Sequence, residues 1–290
     1  MLTVGVYPNT KKSNVLPVLS RLVQYLQKNN IPVFLPDDCA REMQFPDLGC
    51  PRDKMKNEIS VGITIGGDGT LLNTAREIAP GNVPVCGINL GQLGFLTEVE
   101  PDELEHAMDK LIQGDFHIEE RLMLDSFIIR QGKEQQYFSS ALNDIVVTKG
   151  GFSRLIQLLL YIDGELAAEY SADGLIVATS TGSTGYSLSA GGPIVNPNLR
   201  VMVLTPICPH TLHSRSLLIA DKEEIRIQVQ ATHEDAVLTV DGQKVYHLLP
   251  EEQVAVRSSN FSARFLRLNG KSYYERLRTK LQRGNHDEIR

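Results

Sequence analysis

The chain has 290 residues, 42% of them hydrophobic, enough to bury about three quarters of the unfolded surface and long enough for two cores. Its 29 basic and 35 acidic side chains are scattered and leave a net charge of −6, which excludes a basic stripe for nucleic acid and a polybasic membrane anchor. No signal-like opening, no run of about eighteen apolar residues and no Cys-x-x-Cys among Cys39, Cys50, Cys86 and Cys208 are present, so a cytoplasmic protein with reduced thiols is expected.

Leu2 to Tyr7 reads as a strand, and Val15 to Gln27 as a helix with Val15, Val18, Leu19, Leu22, Val23 and Leu26 on one face and Pro17 in its first turn. Ile31 to Leu35 is a second strand, and Pro36 to Glu58, with Pro46 and Pro51, reads as a loop holding one short helix. Val61 to Ile65 is a buried strand that runs into Gly66-Gly67-Asp68-Gly69, and Thr70 to Ala79 has helical spacing. Val83 to Ile88 is a strand, Asn89 to Leu96 a glycine-containing loop, and Pro101 to Ile112 a helix. This alternation predicts a Rossmann-like parallel α/β domain over 1–118. In such sheets ligands bind beyond the carboxyl ends of the strands, which puts Asp68 and Asn89 on one rim.

Three glycines in four positions let the backbone take positive φ and approach a ligand closely, and the first N–H groups of the following helix lack intrahelical partners. That geometry attracts phosphate. The stretch is neither the dinucleotide fingerprint nor a Walker loop, and Gly270-Lys271-Ser272, with Phe265 five residues before it, reads as a turn. Asp68 opposes phosphate unless it serves the reaction, by orienting a hydroxyl or holding a metal; Gly-Asp-Gly also reads as an ordinary Asx turn.

From Leu122 the period becomes extended. Met123 to Arg130, Glu134 to Ser139, Ala141 to Thr148, Arg154 to Ile162, Glu165 to Ser171, Val201 to Thr205, Glu224 to Gln230, Ala236 to Val240 and Val254 to Arg257 are short strands, separated early on by Gln131-Gly132-Lys133, Gly150-Gly151 and Asp163-Gly164. A mostly-β, sandwich-like domain over 119–262 is predicted. The remainder, 263–290, holds a helix from Ser272 to Arg283 with Tyr273, Leu277 and Leu281 on one face. His210-x-x-His213 has no evident third ligand and reads as a polar loop, so no protein-held metal site is expected.

Gly66-Gly67-Asp68-Gly69-Thr70 resembles the signature of the NAD kinase family, shared with diacylglycerol and sphingosine kinases and, more distantly, phosphofructokinases. The loop after Ile88 resembles the family's Gly-x-Asn-x-Gly-x-Leu-Gly-Phe motif and brings in Asn89 and Phe95. Asp173 to Gly192, through Thr181-Gly182-Ser183-Thr184-Gly185-Tyr186-Ser187, resembles its long Asp-Gly and Thr-Gly-Ser-Thr-Ala-Tyr-Ser motif, with Ser180 for a frequent proline and Gly185 for the usual alanine. Hydroxyls and small residues in that pattern suit a nucleoside with ribose and amide groups. Asn143-Asp144 resembles the family's Asn-Glu pair, with the shorter acid here, and on its own reads equally as an Asx turn ending a strand.

The resemblance implies phosphoryl transfer from ATP or polyphosphate to the 2′-hydroxyl of the adenosine ribose of NAD. Gly66, Gly67, Gly69 and Thr70 would cradle the donor phosphates, Mg²⁺ would neutralise them, and Asp68 would take the hydroxyl proton. Asn143 and Asp144 would meet the adenine and its ribose, Asp173 the nicotinamide amide, and Thr184, Gly185 and Tyr186 the adenosine, with Ser187 and Ser189 beside them. Arg154 is implied near the dinucleotide phosphates and Asp241-Gly242-Gln243 as a late turn bringing Gln243 to the site, although the first also reads as a solvated charge and the second as a hairpin turn. The segment 263–290 is implied to return to the first domain, and the protein to be a homodimer or homotetramer. A lipid kinase of the same superfamily would share the glycine loop but need an apolar cavity or a membrane-facing surface, and a non-catalytic NAD sensor could dispense with Asp68.

Overall fold

Val4–Pro8, Val61–Gly66 and Val85–Asn89 are buried at every position. Strands of that kind need cover on both faces, which parallel sheets obtain from crossover helices. The computed structural model, which describes residues 1–91, 94–130, 134–151, 155–210, 214–230, 236–268, 270 and 272–287, builds that arrangement. The chain divides into two units, 1–120 with 263–290 and 121–262.

The first unit holds a seven-stranded sheet in the order Gly49–Cys50, Val33–Pro36, Val4–Pro8, Val61–Gly66, Val85–Asn89, Ala263–Arg267, His117–Arg121. Helix Val15–Lys28 buries Val15, Val18, Leu19, Leu22, Val23 and Leu26, the stripe read from the sequence. Pairing Val4–Pro8 and Val85–Asn89 in parallel on either side of Val61–Gly66 aligns three carboxyl ends along one rim. There the loops after Pro8, Gly66 and Asn89 begin.

Several local readings need correction. The segment after Pro36 is not one loop: it folds as Asp37–Glu42, a 3₁₀ turn Pro46–Leu48, the strand Gly49–Cys50 and helix Arg52–Glu58. Ala263–Arg267, where the sequence reading predicts no strand, enters the first unit's sheet. Its Arg267, 2% exposed, lies 3.1 Å from Glu98 and donates to Leu96 O at 3.0 Å. The C-terminal strand thereby supports the loop that follows Asn89. In the final helix, Tyr273–Asp287, Leu277 is only half-buried; Arg276 is buried instead, its guanidinium 3.6 Å from Glu119. An ion pair fixes this turn as well as apolar packing. The side chain of Leu281, and Lys271 of the expected turn, lie outside the described residues.

The second unit is two six-stranded antiparallel sheets. One runs Glu165–Ala172, Ile156–Ile162, Ile225–Gln230, Gln253–Ser258, Leu124–Arg130, Glu134–Ala141; the other runs Leu217–Ala220, Val201–Ile207, Gly174–Thr179, Asp144–Lys149, Ala236–Val240, Lys244–Leu248. Alternate residues of both sheets, among them Leu158, Leu160, Val147, Leu175, Val177, Leu238 and Val254, share one apolar core. The architecture is therefore a parallel α/β part with an antiparallel β-sandwich. The strands Gly174–Thr179, Leu217–Ala220 and Lys244–Leu248 escaped the sequence reading. The first is concealed by its motif. The other two are edge strands with mostly exposed side chains, so no burial pattern marks them. The expected turn at 131–133 lies outside the described residues, and no described helix is long and apolar enough to cross a membrane.

Candidate functional site

In the first unit the glycine stretch is not a loop with left-handed glycines. Gly67 has φ −133°, neither Gly66 nor Gly69 has positive φ, and the helix starts at Asp68 rather than Thr70, with Gly67 as its uncapped N-terminal neighbour. Close approach explains Gly66: a β-carbon there would lie 2.4 Å from Thr70 Oγ1 and 3.2 Å from the β-carbon of Asn9. The positive end of helix Asp68–Ile78 thus opens onto the strand rim.

Asp68 turns its carboxylate to the second loop. Oδ2 accepts from Phe95 N at 2.7 Å, and Oδ1 accepts from Leu96 N at 3.3 Å, Thr97 N at 3.1 Å and Thr97 Oγ1 at 3.2 Å. A β-carbon at Gly94 would fall 1.8 Å from Asp68 Oδ1, so this carboxylate needs the glycine. Asn89 is buried and donates through Nδ2 to Gly91 O at 2.6 Å, shaping the same loop. Phe95 is half-buried, with the Lys280 ammonium 5.8 Å from its ring centre. Gln92 and Leu93 lie outside the described residues. Asp68, Asn89 and Phe95 are thus brought together, with the Phe95 backbone N–H contacting Asp68.

In the second unit, Asn143-Asp144 is joined to the Ser/Thr-rich segment through the backbone. Thr179 N donates to Asn143 O at 2.8 Å, Thr179 Oγ1 to Leu142 O at 2.6 Å, and Gly182 N to Thr179 Oγ1 at 3.0 Å. A β-carbon at Gly182 would lie 2.1 Å from Asn143 O, which makes this glycine indispensable to the junction. Gly185 differs: an added β-carbon would sit 3.2 Å from Gly182 O, 3.8 Å from Asn143 Nδ2 and 3.9 Å from Asp144 Oδ2, and its φ of −95° does not demand glycine. Thr184, Gly185 and Tyr186 follow this junction in sequence, and Tyr186 is exposed, its phenol pushed up by burial and then by nearby Cys208 and acids.

Asp241 holds the other side. Its carboxylate accepts from Leu142 N at 3.0 Å, Asn143 N at 2.8 Å and Asp144 N at 3.1 Å, while its own N–H donates to Asp144 O at 2.9 Å. Asp144 itself is buried, and burial, with the charge of Asp241 second, pushes its carboxyl up to about 7. Among the described residues no donor meets that carboxyl. Asp173 caps the start of Gly174–Thr179 and pairs through Oδ1 with Lys149 Nζ at 2.6 Å. Sequence reasoning missed Asp241 and Lys149. An Asp-Gly hairpin signal marked the first as a turn but not as an acceptor, and nothing marked the second.

Ser187, expected beside the adenosine contacts, is fully buried and its hydroxyl meets Thr205 Oγ1 at 2.9 Å, so it holds the segment together. Ser180, in place of a proline, donates to Leu199 O. Ser189 and Gln243 are exposed, Gln243 in the turn after Ala236–Val240. Arg154 and His213 lie outside the described residues. Among the described residues no three His, Cys, Asp or Glu side chains converge as metal ligands.

Residues 4–116 match the family model for the ATP-NAD kinase N-terminal domain, and residues 142–268 that for the ATP-NAD kinase C-terminal domain. An NAD kinase of Heliobacterium modesticaldum is 45% identical over 285 residues, covering 98% of this chain and 100% of the relative. One from Moorella thermoacetica is 45% identical over 288 residues, 98% of this chain and 90% of that one. Among solved structures, yeast NADH kinase complexed with NADH superposes with a TM-score of 0.86 at 26% identity, covering 96% of this chain and 86% of the other. An NAD kinase from Archaeoglobus fulgidus in complex with ATP gives 0.76 at 26% identity, over 97% of this chain and 99% of the other.

Proposed function

The chain belongs to the NAD kinase family and is a kinase, and from that premise we propose that it transfers the γ-phosphoryl group of ATP to the 2′-hydroxyl of the adenosine ribose of NAD, giving NADP and ADP. The bond between the ribose 2′-oxygen and Pγ forms, the bond from Pγ to the bridging oxygen of ADP breaks, and the hydroxyl proton passes to Asp68. The observation that carries the reading is the treatment of Asp144. A buried carboxyl with no protein donor, welded beside Asn143 and the Thr184–Tyr186 stretch, suits a ligand that brings hydroxyl donors, as a ribose does.

Gly66, Gly67, Gly69 and Thr70 at the open helix start suit the donor phosphates, and Asp173, partly exposed beside Lys149, suits an amide of the dinucleotide. Asp68 serves first as a positioned group. With Oδ1 accepting three hydrogen bonds and Oδ2 one, Oδ2 retains room for the attacking hydroxyl. Loose phosphoryl-transfer transition states reward such positioning more than basicity. The described side chains do not form a cage for Mg²⁺, which we take to arrive on the triphosphate as part of the donor substrate, in a cytoplasmic enzyme. Incubating the protein with NAD and either MgATP or polyphosphate, followed by an NADP-specific coupled assay, tests both halves of the proposal. NADP from ATP is expected; folded protein that makes none from either donor sinks it.

A further inference from the structure

The loop after the first strand carries a cation onto the glycine rim. Asn9 N donates to Ile65 O at 2.8 Å, and Asn9 Nδ2 to Thr70 Oγ1 at 3.2 Å, fastening this residue to the glycine segment. Its side-chain Oδ1 accepts from Lys11 N at 3.2 Å and its carbonyl from Lys12 N at 3.0 Å, an Asx-type turn that folds the chain back. Lys12 Nζ therefore stands 4.0 Å from the β-carbon position of Gly67 and 3.5 Å from that of Gly91. It lies over two of the three loops of the rim.

Lys12 is half-buried. It sits beside the start of an 11-residue helix, whose end is itself positive, and among the described residues no acid pairs with it. An exposed lysine would extend into water, as its exposed neighbour Lys11 can. An anion placed between the helix start and the ammonium is attracted by both. The glycine stretch has no lysine of its own, in contrast to a Walker loop, where one ends the phosphate-binding turn.

We infer that Lys12 is a phosphate-binding residue for the nucleotide donor, its ammonium meeting the terminal phosphoryl oxygens from the loop beside the glycine segment. The inference rests on the kinase reading for the identity of the donor, and its chemistry requires only a polyphosphate chain. An ammonium can follow an oxygen whose charge grows as the bridging bond breaks, since it is a point charge with three rotatable donors.

The test compares the unmodified protein with Lys12→Met, Lys12→Arg and the control Lys11→Met. Each is titrated calorimetrically with MgATP, with inorganic tripolyphosphate and with NAD, and its melting temperature is taken without ligand. Lys12→Met is expected to weaken ATP and tripolyphosphate at least tenfold, leave NAD within twofold and not lower the ligand-free melting temperature. Lys12→Arg should recover part of the loss, and Lys11→Met should bind as the unmodified protein does. Unchanged ATP binding in Lys12→Met, an equal loss for NAD, or a lowered ligand-free melting temperature without rescue by arginine overturns the inference. Unmodified protein that binds neither polyphosphate also overturns it. An unmodified protein that binds ATP but makes no NADP would remove the kinase reading alone, and the binding series would still decide Lys12.

Discussion

Asp68 in the first unit and Asp144 in the second are both acids placed beside a strand end, and the protein treats them in opposite ways. Three backbone N–H groups and a hydroxyl point at the carboxylate of Asp68. At Asp144 comparable N–H donors are present, but they are directed to Asp241, leaving Asp144 buried without one. A carboxylate supplied with donors has its charge solvated by the fold, whereas one without them must take up a proton or obtain donors from a ligand. The first arrangement suits a group held at one position throughout a reaction. The second suits a group that waits for a substrate.

The largest effect is expected from breaking the first arrangement. Asp68→Asn turns an NH₂ group toward donors and removes the proposed acceptor for the hydroxyl proton, so kcat for NADP formation should fall by about 10² to 10⁴ while NAD binding stays within a few-fold. Gly94→Ala reaches the same carboxylate without changing it, because the new methyl would overlap Asp68 Oδ1. A comparable loss of kcat is expected there. Steady-state assays on both variants separate the roles: an unchanged kcat in Asp68→Asn ends any catalytic assignment, and a fully active Gly94→Ala would mean that the clamp is not needed.

Next in size is Asp241→Ala. It leaves the N–H groups of Leu142, Asn143 and Asp144 without their acceptor, and one such group costs about 1 to 3 kcal/mol when buried. Chemical denaturation should show a loss of about 3 kcal/mol, and KM for NAD should rise more than KM for ATP. Wild-type stability in this variant would show that the three N–H groups have other partners.

The two carboxylate settings also mark what the sequence could and could not convey. The buried stripe of Val15–Lys28 and the parallel α/β alternation are periodic within a few residues, so they are legible locally. Asp37–Glu42 and Arg52–Glu58 are six and seven residues long and rich in charge, too short for a period to emerge. The clamps are longer-range still. The donors to Asp241 come from 97 to 99 positions earlier, and those to Asp68 from 27 to 29 positions later. The motif residues could be named from the chain, but the group to which each carboxylate is bound could not. The partner of Ser187 is hidden in the same way, since Thr205 stands 18 positions away.

A smaller effect is expected at Asp173. Its pair with Lys149 is about one-third exposed on both sides, so it contributes at most about 1 kcal/mol to stability. If Asp173 instead holds an amide of NAD, Asp173→Ala should raise KM for NAD roughly tenfold or more, the range for a hydrogen bond to a charged group, and leave KM for ATP alone. Equal changes in both constants would return Asp173 to a purely structural part.

The smallest effect, and the one that bears most directly on the contrast, is the pH dependence of Asp144. Burial lifts its carboxyl from 3.8 to about 7, so between those values the folded chain carries a proton that the unfolded chain has lost. Stability contributed by this group is therefore complete below the lower value and is lost as the pH rises through the upper one. Asp144→Asn is neutral throughout and escapes that loss, so its melting temperature relative to the unmodified protein should climb between pH 5 and pH 8. Substrate binding should move in the opposite sense. In the proposed binding mode a ribose hydroxyl donates to the ionised form, so KM for NAD should fall about tenfold from pH 6 to pH 8, as a group titrating near 7 requires, with KM for ATP flat. In Asp144→Asn the NAD profile should also be flat. The Asp68 setting supplies the control, because Asp68→Asn should retain the slope in NAD binding even where turnover is lost. A slope that survives in Asp144→Asn would assign the titration to another group and remove the contrast between the two acids.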